Sequence, residues 1–320
     1  MLKQVIETME LLDSANVSGN GVAALLKSRG LEDVTVKALC GERGKTDFVR
    51  VRIPGTRGKT AKGNARTLGI LGRLGGVGAR PEMIGLVSDA DGAVTAIATA
   101  LKIADMKRSG DTLPGDVVVG THVCPDSPTI PHKPVAFMGS PVAFTEIGRE
   151  EVTSDMDAVL SIDTTKGNRI VKWRGFAITP TVKEGWILKV SDDLLTIMEI
   201  TTGRIPRVCP ITTQDITPYG NGIDHLNSIM QPSTATDKPV VGVPITTESV
   251  VPGSASGASH PEDIAEATTF CVEVAKAYGK GICSFYSEEE WGIIERKYGP
   301  LKILQTPGRA YPQCPFKQRI

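Results

Sequence analysis

The segment from Ala93 to Met106 constrains the fold more than any other stretch, because it stays largely apolar over about four helical turns. A helix with apolar residues on most of its sides is covered by protein on most of its sides, rather than along one stripe. An apolar run, Leu68 to Leu71, ends at glycines shortly before it and is typical of a buried strand. A buried strand, a connecting loop and a core helix in this order predict an α/β domain with the helix at its centre.

An acidic turn, Ser88 to Gly92, lies directly before this helix and contains Asp89 and Asp91. The N-terminus of a helix has free N–H groups and a positive dipole end, and both stabilise carboxylates. The two acids are therefore either helix caps or ligands in a functional site. Taken alone, the turn favours capping.

Two further apolar runs also end in acids. The strand predicted from Gly115 to Thr121 leads to Asp126, and the run from Ala158 to Ile162 is followed by Asp163. Strands that alternate with helices predict a central mixed, mostly parallel sheet with helices on both faces, and sites gather at the carboxyl ends of such strands. The recurrence of acids at strand ends makes capping a weaker explanation than it is for one turn.

The predicted core closes with a β run from Lys238 to Thr246, a loop of small residues, and a helix from Pro261 to Tyr278. His260 lies at the junction of this loop and helix. The remaining predicted elements are helices over 2–13, 18–30, 191–200 and 288–298 and strands over 35–39 and 48–53. We expect residues 1–300 to form a single α/β domain and residues 301–320 a C-terminal tail.

Composition excludes several classes of function. Lys and Arg together number 36, as do Asp and Glu, so no net charge draws the protein to nucleic acid or to anionic lipid. The apolar stretches are too short to cross a membrane and the N-terminus is unlike a signal peptide, which favours the cytoplasm. Six cysteines lie far apart without a CxxC pair, so we expect most of them to be reduced and buried.

His122, Cys124 and Asp126 alternate along one extended segment, so their side chains are expected on one face. An imidazole, a thiolate and a carboxylate can together hold zinc or another divalent ion. A strand whose alternate polar residues face a loop has the same pattern. Cys124 could also act as a nucleophile with His122 or His132 as its base. His225 lies on a later loop that either reaches into a site or forms a solvated turn.

Four segments together resemble the zinc-dependent aminopeptidases with an α/β core and a co-catalytic metal pair, particularly the tetrahedral, glutamyl-aminopeptidase type. They are LLDSANVSGNGVAALLKSRG, SDADGAVTAIATALKIADM, AVLSIDTTKG and GVPITTESVVPGSASGASHPEDIAEATTFCVEVAKAYG. The whole chain also resembles a bacterial family of uncharacterised proteins. The resemblance implies a zinc-exopeptidase-like, phosphorylase/hydrolase-like three-layer sandwich. It further implies metal-binding roles for Asp163, for His260 and for one residue of the acidic turn, namely Ser88, Asp89 or Asp91.

The chain departs from those peptidases at two positions of the metal site. Arg73 and Gly75 stand where the first metal histidine and a nearby aspartate are expected, and a Cys-Pro-Asp sequence ending at Asp126 replaces a pair of glutamates. The resemblance therefore implies at most one divalent ion, with zinc the preferred metal. Arg73 is always charged and has only donors, so it would form an anion subsite or pair with Asp89 or Asp91.

These patterns favour a metal-assisted hydrolase of an amide bond in a small peptide-like or amino-acid-derived substrate. The alternatives are a catalytically inactive binding or regulatory protein on the same fold, and a non-hydrolytic enzyme acting on a carboxylate-bearing substrate. We expect a small-molecule or short-peptide substrate, no nucleic acid, no membrane, and a homo-oligomer. The predicted site residues are His122 and Asp126 for catalysis, Asp89, Asp163 and His260 for the metal, and Arg73 and His225 for the substrate.

Overall fold

The computed structural model describes residues 1–73, 75–79, 85–166 and 169–307. The α-helices of these residues are α1 (Leu2–Leu12), α2 (Gly19–Ser28), α3 (Asp91–Arg108), α4 (Phe144–Glu151), α5 (Asp192–Thr202), α6 (Pro261–Lys280) and α7 (Glu288–Tyr298). The strands are β1 (Val34–Gly41), β2 (Gly44–Ile53), β3 (Leu68–Gly72), β4 (Val117–Val123), β5 (Thr129–Ile130), β6 (Phe137–Met138), β7 (Ala158–Thr164), β8 (Gly175–Phe176), β9 (Val182–Lys183), β10 (Trp186–Ile187) and β11 (Val240–Thr246).

One mixed sheet organises the fold, and its strands lie in the order β1-β2-β4-β3-β7-β11-β9-β10, with β8 also pairing with β11. The four central strands are parallel, with Leu68 of β3 opposite both Val117 of β4 and Ala158 of β7. Antiparallel strands flank this centre, since β2 pairs with β4 on one side and β9 with β11 on the other. The predicted α/β class with a mixed, mostly parallel sheet is confirmed.

Alternate residues of the central strands face opposite sides of the sheet, as the pleat requires. On one side, Ile70 and Leu160 pack in the main core with α1, α3 and α6. On the other side, Leu71 and Val159 pack against Ile229, which lies on the 3-10 helix Ser228–Thr234. Helix α4 contacts that 3-10 helix, so helical elements cover both faces and the sheet forms the middle layer.

Helix α3 is the buried helix that the sequence predicted. All of its residues from Asp91 to Leu101 are buried, and its two threonine hydroxyls donate back to helix carbonyl oxygens at 2.8 Å. The helix begins against the ends of β3 and β7. A side chain at Gly92 would lie 2.5 Å from the Ile162 carbonyl oxygen and 2.6 Å from that of Arg73, so only glycine allows this approach. Asp91 is thereby fixed at the carboxyl edge of the parallel strands.

The cysteines within the described ranges are free thiols, and Cys124, Cys209, Cys271 and Cys283 are buried whereas Cys40 is exposed. Cys314 lies outside the described residues.

The predicted C-terminal tail contains a short 3-10 helix, Lys302–Gln305. From residue 308 onward the tail lies outside the described residues. Within the described part of the chain, no helix combines the length and apolar character needed to cross a membrane.

Candidate active site

A cleft opens at the carboxyl edge of the central strands and consists of two cavities that share a wall. The smaller cavity, of about 560 Å³, is the polar arm, lined by Asp163, Thr164, Thr165, Lys166, Arg169, Ile170, Asn227 and Val251. The larger cavity, of about 920 Å³, is the aromatic arm, lined by Ile130, Met138, Val142, Phe144, Tyr219 and His225 with the β1–β2 turn. The shared wall contains Asp89, Phe137, Leu226, Ser228 and Ser254. Volumes of this size suit small-molecule ligands.

Asp163 is the acid at the end of β7, and its carboxylate lines the polar arm while only 1% of the residue is exposed. Its Oδ2 accepts a hydrogen bond of 2.5 Å from the Ser228 hydroxyl, and its Oδ1 accepts one of 2.7 Å from the Thr164 N–H. Burial raises the pKa of Asp163 to about 6, although the Ser228 hydroxyl and the Arg73 guanidinium oppose the rise. The carboxyl group therefore titrates close to neutral pH.

Asp89 lies on the 3-10 turn Ser88–Ala90 and is 4% exposed in the shared wall. Burial raises the pKa of Asp89 well above its ordinary value, and the negative charges of Asp163 and Asp91 raise it further. Among the described residues no hydrogen bond to the carboxylate offsets this rise. Asp89 therefore keeps its proton to higher pH than an ordinary aspartate does, and it lines the same cavity as Asp163.

Asp91 is neither a cap nor a free ligand, because its carboxylate forms a buried ion pair with Lys166. The Ser259 hydroxyl donates to its other oxygen at 2.6 Å, and the Lys166 ammonium also donates to the Ala258 carbonyl oxygen at 2.5 Å. Burial raises the pKa of Asp91, and the Lys166 charge partly offsets that rise. Lys166 lies two residues beyond β7, and no motif in its own stretch of sequence marks it as the partner of Asp91.

Arg73 forms a second buried ion pair, and its partner is Glu151 rather than the expected Asp89 or Asp91. Its Nη1 lies 2.6 Å from Glu151 Oε1, and the Phe144 ring lies 5.5 Å from the guanidinium carbon. Its Nε and Nη2 find no hydrogen-bond partner among the described residues. At 1% exposure Arg73 lies beneath the cleft, so it acts on Asp163 through its charge. Direct substrate binding by Arg73 is not supported.

His122 is not placed for catalysis. It continues β4 opposite Phe48 of β2, where its Nε2 accepts from the Gly75 N–H at 3.1 Å and its Nδ1 lies 2.9 Å from the Thr46 hydroxyl. Burial and the Arg73 charge lower the pKa of His122 to about 3, so the ring is neutral. Both nitrogens are used inside the protein, and neither can move a substrate proton.

The other members of the expected set do not gather around His122. The Cys124 thiol donates to the Lys45 carbonyl oxygen at 3.3 Å, and burial raises the pKa of Cys124, which disfavours the thiolate. Asp126 is exposed and lines neither arm of the cleft. His132 contacts the Val135 carbonyl oxygen at 3.0 Å through its Nδ1. The catalytic assignment of Asp126 and the nucleophile hypothesis for Cys124 therefore gain no support.

His260 lies apart from Asp163. It precedes α6 with 54% of its side chain exposed, its Nδ1 lies 3.4 Å from Asp263 Oδ2, and it lines a different cavity together with Arg174. Of the strand-end residues expected to converge, Asp89 and Asp163 thus line one cavity, whereas Asp126 and His260 lie outside it. His225 does line the aromatic arm, where its ring lies 4.2 Å from that of Tyr219.

The residues present do not fit the expected divalent ion. Asp91 is neutralised by Lys166, and both oxygens of Asp163 accept protein hydrogen bonds. Across the described ranges, no group of three or more His, Cys, Asp or Glu side chains is arranged to hold a metal ion. Two buried cations, Arg73 and Lys166, supply the positive charge beside the acids instead.

Comparison with known proteins places the chain in a family. No curated protein matches it. Among solved structures, the crystal structure of the Legionella pneumophila LapA aminopeptidase aligns with a TM-score of 0.48 and 11% sequence identity, over 90% of this chain and 72% of that one. Residues 37–308 match a family described as "Protein of unknown function (DUF1177)", which confirms the expected membership of an uncharacterised family. The chain belongs to the DUF1177 family.

Proposed function

We propose that the protein is a hydrolase that cleaves an amide bond of a small peptide-like or amino-acid-derived substrate in the cleft. Asp163 acts as the general base and Asp89 as the general acid. The observation that carries the proposal is that two buried carboxyl groups, Asp89 and Asp163, line one cavity, where burial raises the pKa of both with different amounts of opposing stabilisation. Pairs of titratable groups whose environments separate their pKa values are characteristic of acid–base catalysis.

Asp163 is equipped to be the base. With a pKa of about 6 it is mostly ionised at neutral pH, and the Ser228 hydroxyl and Thr164 N–H hold the ionised group in one orientation. It takes a proton from a water molecule as the water oxygen attacks the substrate carbonyl carbon. A general base whose pKa lies near the pH of the reaction is largely ionised and still binds a proton strongly.

Asp89 is equipped to be the acid, because burial raises its pKa well above the ordinary value and no hydrogen bond among the described residues holds the charged form. It donates its carboxyl proton to the amide nitrogen as the carbon–nitrogen bond breaks. The products are a carboxylic acid and an amine. Asp163 then returns its proton to solvent and Asp89 takes one up, which restores the starting state.

Two buried cations lie beside the acids, each paired with a carboxylate. Lys166, paired with Asp91, lines the polar arm, and the charge of Arg73, paired with Glu151, favours the ionised form of Asp163. No step uses a metal ion, because Asp91 is neutralised by Lys166 and both oxygens of Asp163 accept protein hydrogen bonds.

The test is a turnover screen of the purified full chain against neutral and acidic dipeptides and N-acyl amino acids, with amine release as the readout. We expect turnover of at least one class by the wild type and its loss in both Asp89→Asn and Asp163→Asn.

A binding protein without catalysis is the second candidate, favoured by the two ion pairs, which rigidify the site without taking part in the chemistry. Ligand binding without any turnover would support that candidate and overturn the proposal.

A further inference from the structure

The two arms of the cleft differ in chemistry, and Asp89 lies in the wall between them. We propose that the cleft selects substrates with an aromatic acyl group at one end and a free carboxylate at the other, as in N-aroyl amino acids. The inference rests on the proposed function, because it places the scissile amide beside Asp89 and Asp163. It adds the identity of the two groups that flank this amide.

The side chains of the aromatic arm favour a planar acyl group. Phe144 and Tyr219 are stacked with ring centroids 4.6 Å apart, and the His225 ring lies 4.2 Å from Tyr219 on the same row. All three side chains line the arm, and Phe137 faces them from the shared wall. Stacked rings bind a further ring by offset or edge contacts.

Charge orients the substrate in the cleft. Glu42 and Glu146 line the aromatic arm and disfavour a carboxylate there, although Arg43 partly balances them. The polar arm is lined by Lys166 and Arg169. Lys166 is already paired with Asp91, so its charge is largely compensated.

Arg169 is the residue that would recognise the carboxylate. It is exposed at the polar arm and forms no ion pair with the residues that the structure describes, whereas the neighbouring Lys166 is fully engaged. A guanidinium group binds a carboxylate through two parallel hydrogen bonds. The exposed Arg169 therefore offers the free end of the substrate a bidentate partner.

Binding is measured by calorimetry on Asp89→Asn, so that turnover does not consume the ligand. The probes are N-benzoylglycine, its carboxamide, which lacks the negative charge, and N-acetylglycine, which lacks the ring. We expect N-benzoylglycine to bind about tenfold more tightly than either of the other two, as one charge-assisted contact and one stacking contact imply.

Two further substitutions locate the contacts. Adding Arg169→Gln should weaken N-benzoylglycine about tenfold and leave its carboxamide unchanged. Adding Tyr219→Leu should weaken both benzoyl ligands and leave N-acetylglycine unchanged. Arg149→Gln, at an exposed arginine of α4 that lines neither arm, is the matched control and should change nothing.

Equal affinities for the three probes, or equal effects of Arg169→Gln on the acid and its carboxamide, would overturn the inference. Its failure is distinguishable from failure of the proposed function. Selective binding by Asp89→Asn together with no hydrolysis by the wild type would refute catalysis and leave the binding specificity standing. Hydrolysis of other amides without selective binding would support catalysis and overturn the inferred binding specificity.

Discussion

The Ser228 hydroxyl donates a 2.5 Å hydrogen bond to Oδ2 of Asp163 and thereby joins the start of a 3-10 helix to the end of β7. The two residues are 65 positions apart in the sequence. Hydrogen bonds to a carboxylate stabilise its charged form, so this contact opposes the rise in pKa that burial causes. The balance keeps Asp163 ionisable near neutral pH.

Replacing Ser228 by alanine should therefore raise the pKa of Asp163 by about one to two pH units, since a hydrogen bond to a charged group is worth about 1.5–3 kcal/mol. The acidic limb of the pH–rate profile should move upward by the same amount. Ser233→Ala, which removes a hydroxyl that donates to the Met230 carbonyl oxygen in the same 3-10 helix, should leave that limb in place. An unmoved limb in Ser228→Ala would show that the contact does not control Asp163.

Asp163 should also make stability depend on pH. Its folded pKa of about 6 lies above the ordinary value of 3.8, so the folded state binds the proton more tightly than the unfolded state. The resulting stabilisation is fully present below pH 4 and is lost as the pH rises through about 6. As the pH rises from 4 to 7, we expect the free energy of unfolding of the wild type to fall by about 2 kcal/mol relative to that of Asp163→Asn, measured by urea unfolding. A pH-independent difference would contradict the burial argument.

The Lys166–Asp91 pair should contribute strongly to stability, because neither side chain reaches solvent. Lys166→Met leaves a buried carboxylate unpaired and should reduce the free energy of unfolding by about 3–5 kcal/mol. Adding Asp91→Asn removes that charge and should restore much of the loss. Lys189→Met, which breaks an exposed pair with Asp192, should cause no measurable change. A stable Lys166→Met single variant would show that the pair is dispensable.

His122 should prove structural. The neutral ring joins Thr46 to Gly75, so His122→Gln is expected to lower the free energy of unfolding by about 1–3 kcal/mol through lost buried hydrogen bonds. The rate of any hydrolysis, measured below the unfolding temperature, should stay close to that of the wild type. A loss of rate greater than about 100-fold at unchanged stability would restore the catalytic assignment.

The fold was predictable where the sequence is locally unambiguous. Strands β3 and β11 are continuous apolar runs and helix α3 is apolar on most of its sides, so the sequence itself predicts that all three are buried. The acids at strand ends followed from the same reasoning, which located Asp89 and Asp163. His225 also lines the cleft, and only its position on a loop suggested it as a site residue.

The rest of the site depends on tertiary contacts that carry no local signal. Glu151 comes from α4, a helix of 8 residues that follows a proline-rich segment, and nothing in its own sequence identifies Arg73 as its partner. His122 was expected beyond the end of β4, but pairing with β2 extends the strand through Val123 and turns the ring inward. His260 follows its strand by a long loop that carries it to another cavity.

The central claim is that Asp163 and Asp89 share one cavity with separated protonation states. Carbon-13 NMR titration of the aspartate carboxyl groups tests it without a substrate, with the Asp163→Asn and Asp89→Asn variants assigning the two signals. We expect the Asp163 signal to titrate near pH 6 and the Asp89 signal to remain protonated to higher pH. Titration of both groups near pH 4, as in solvent-exposed aspartates, would contradict the account.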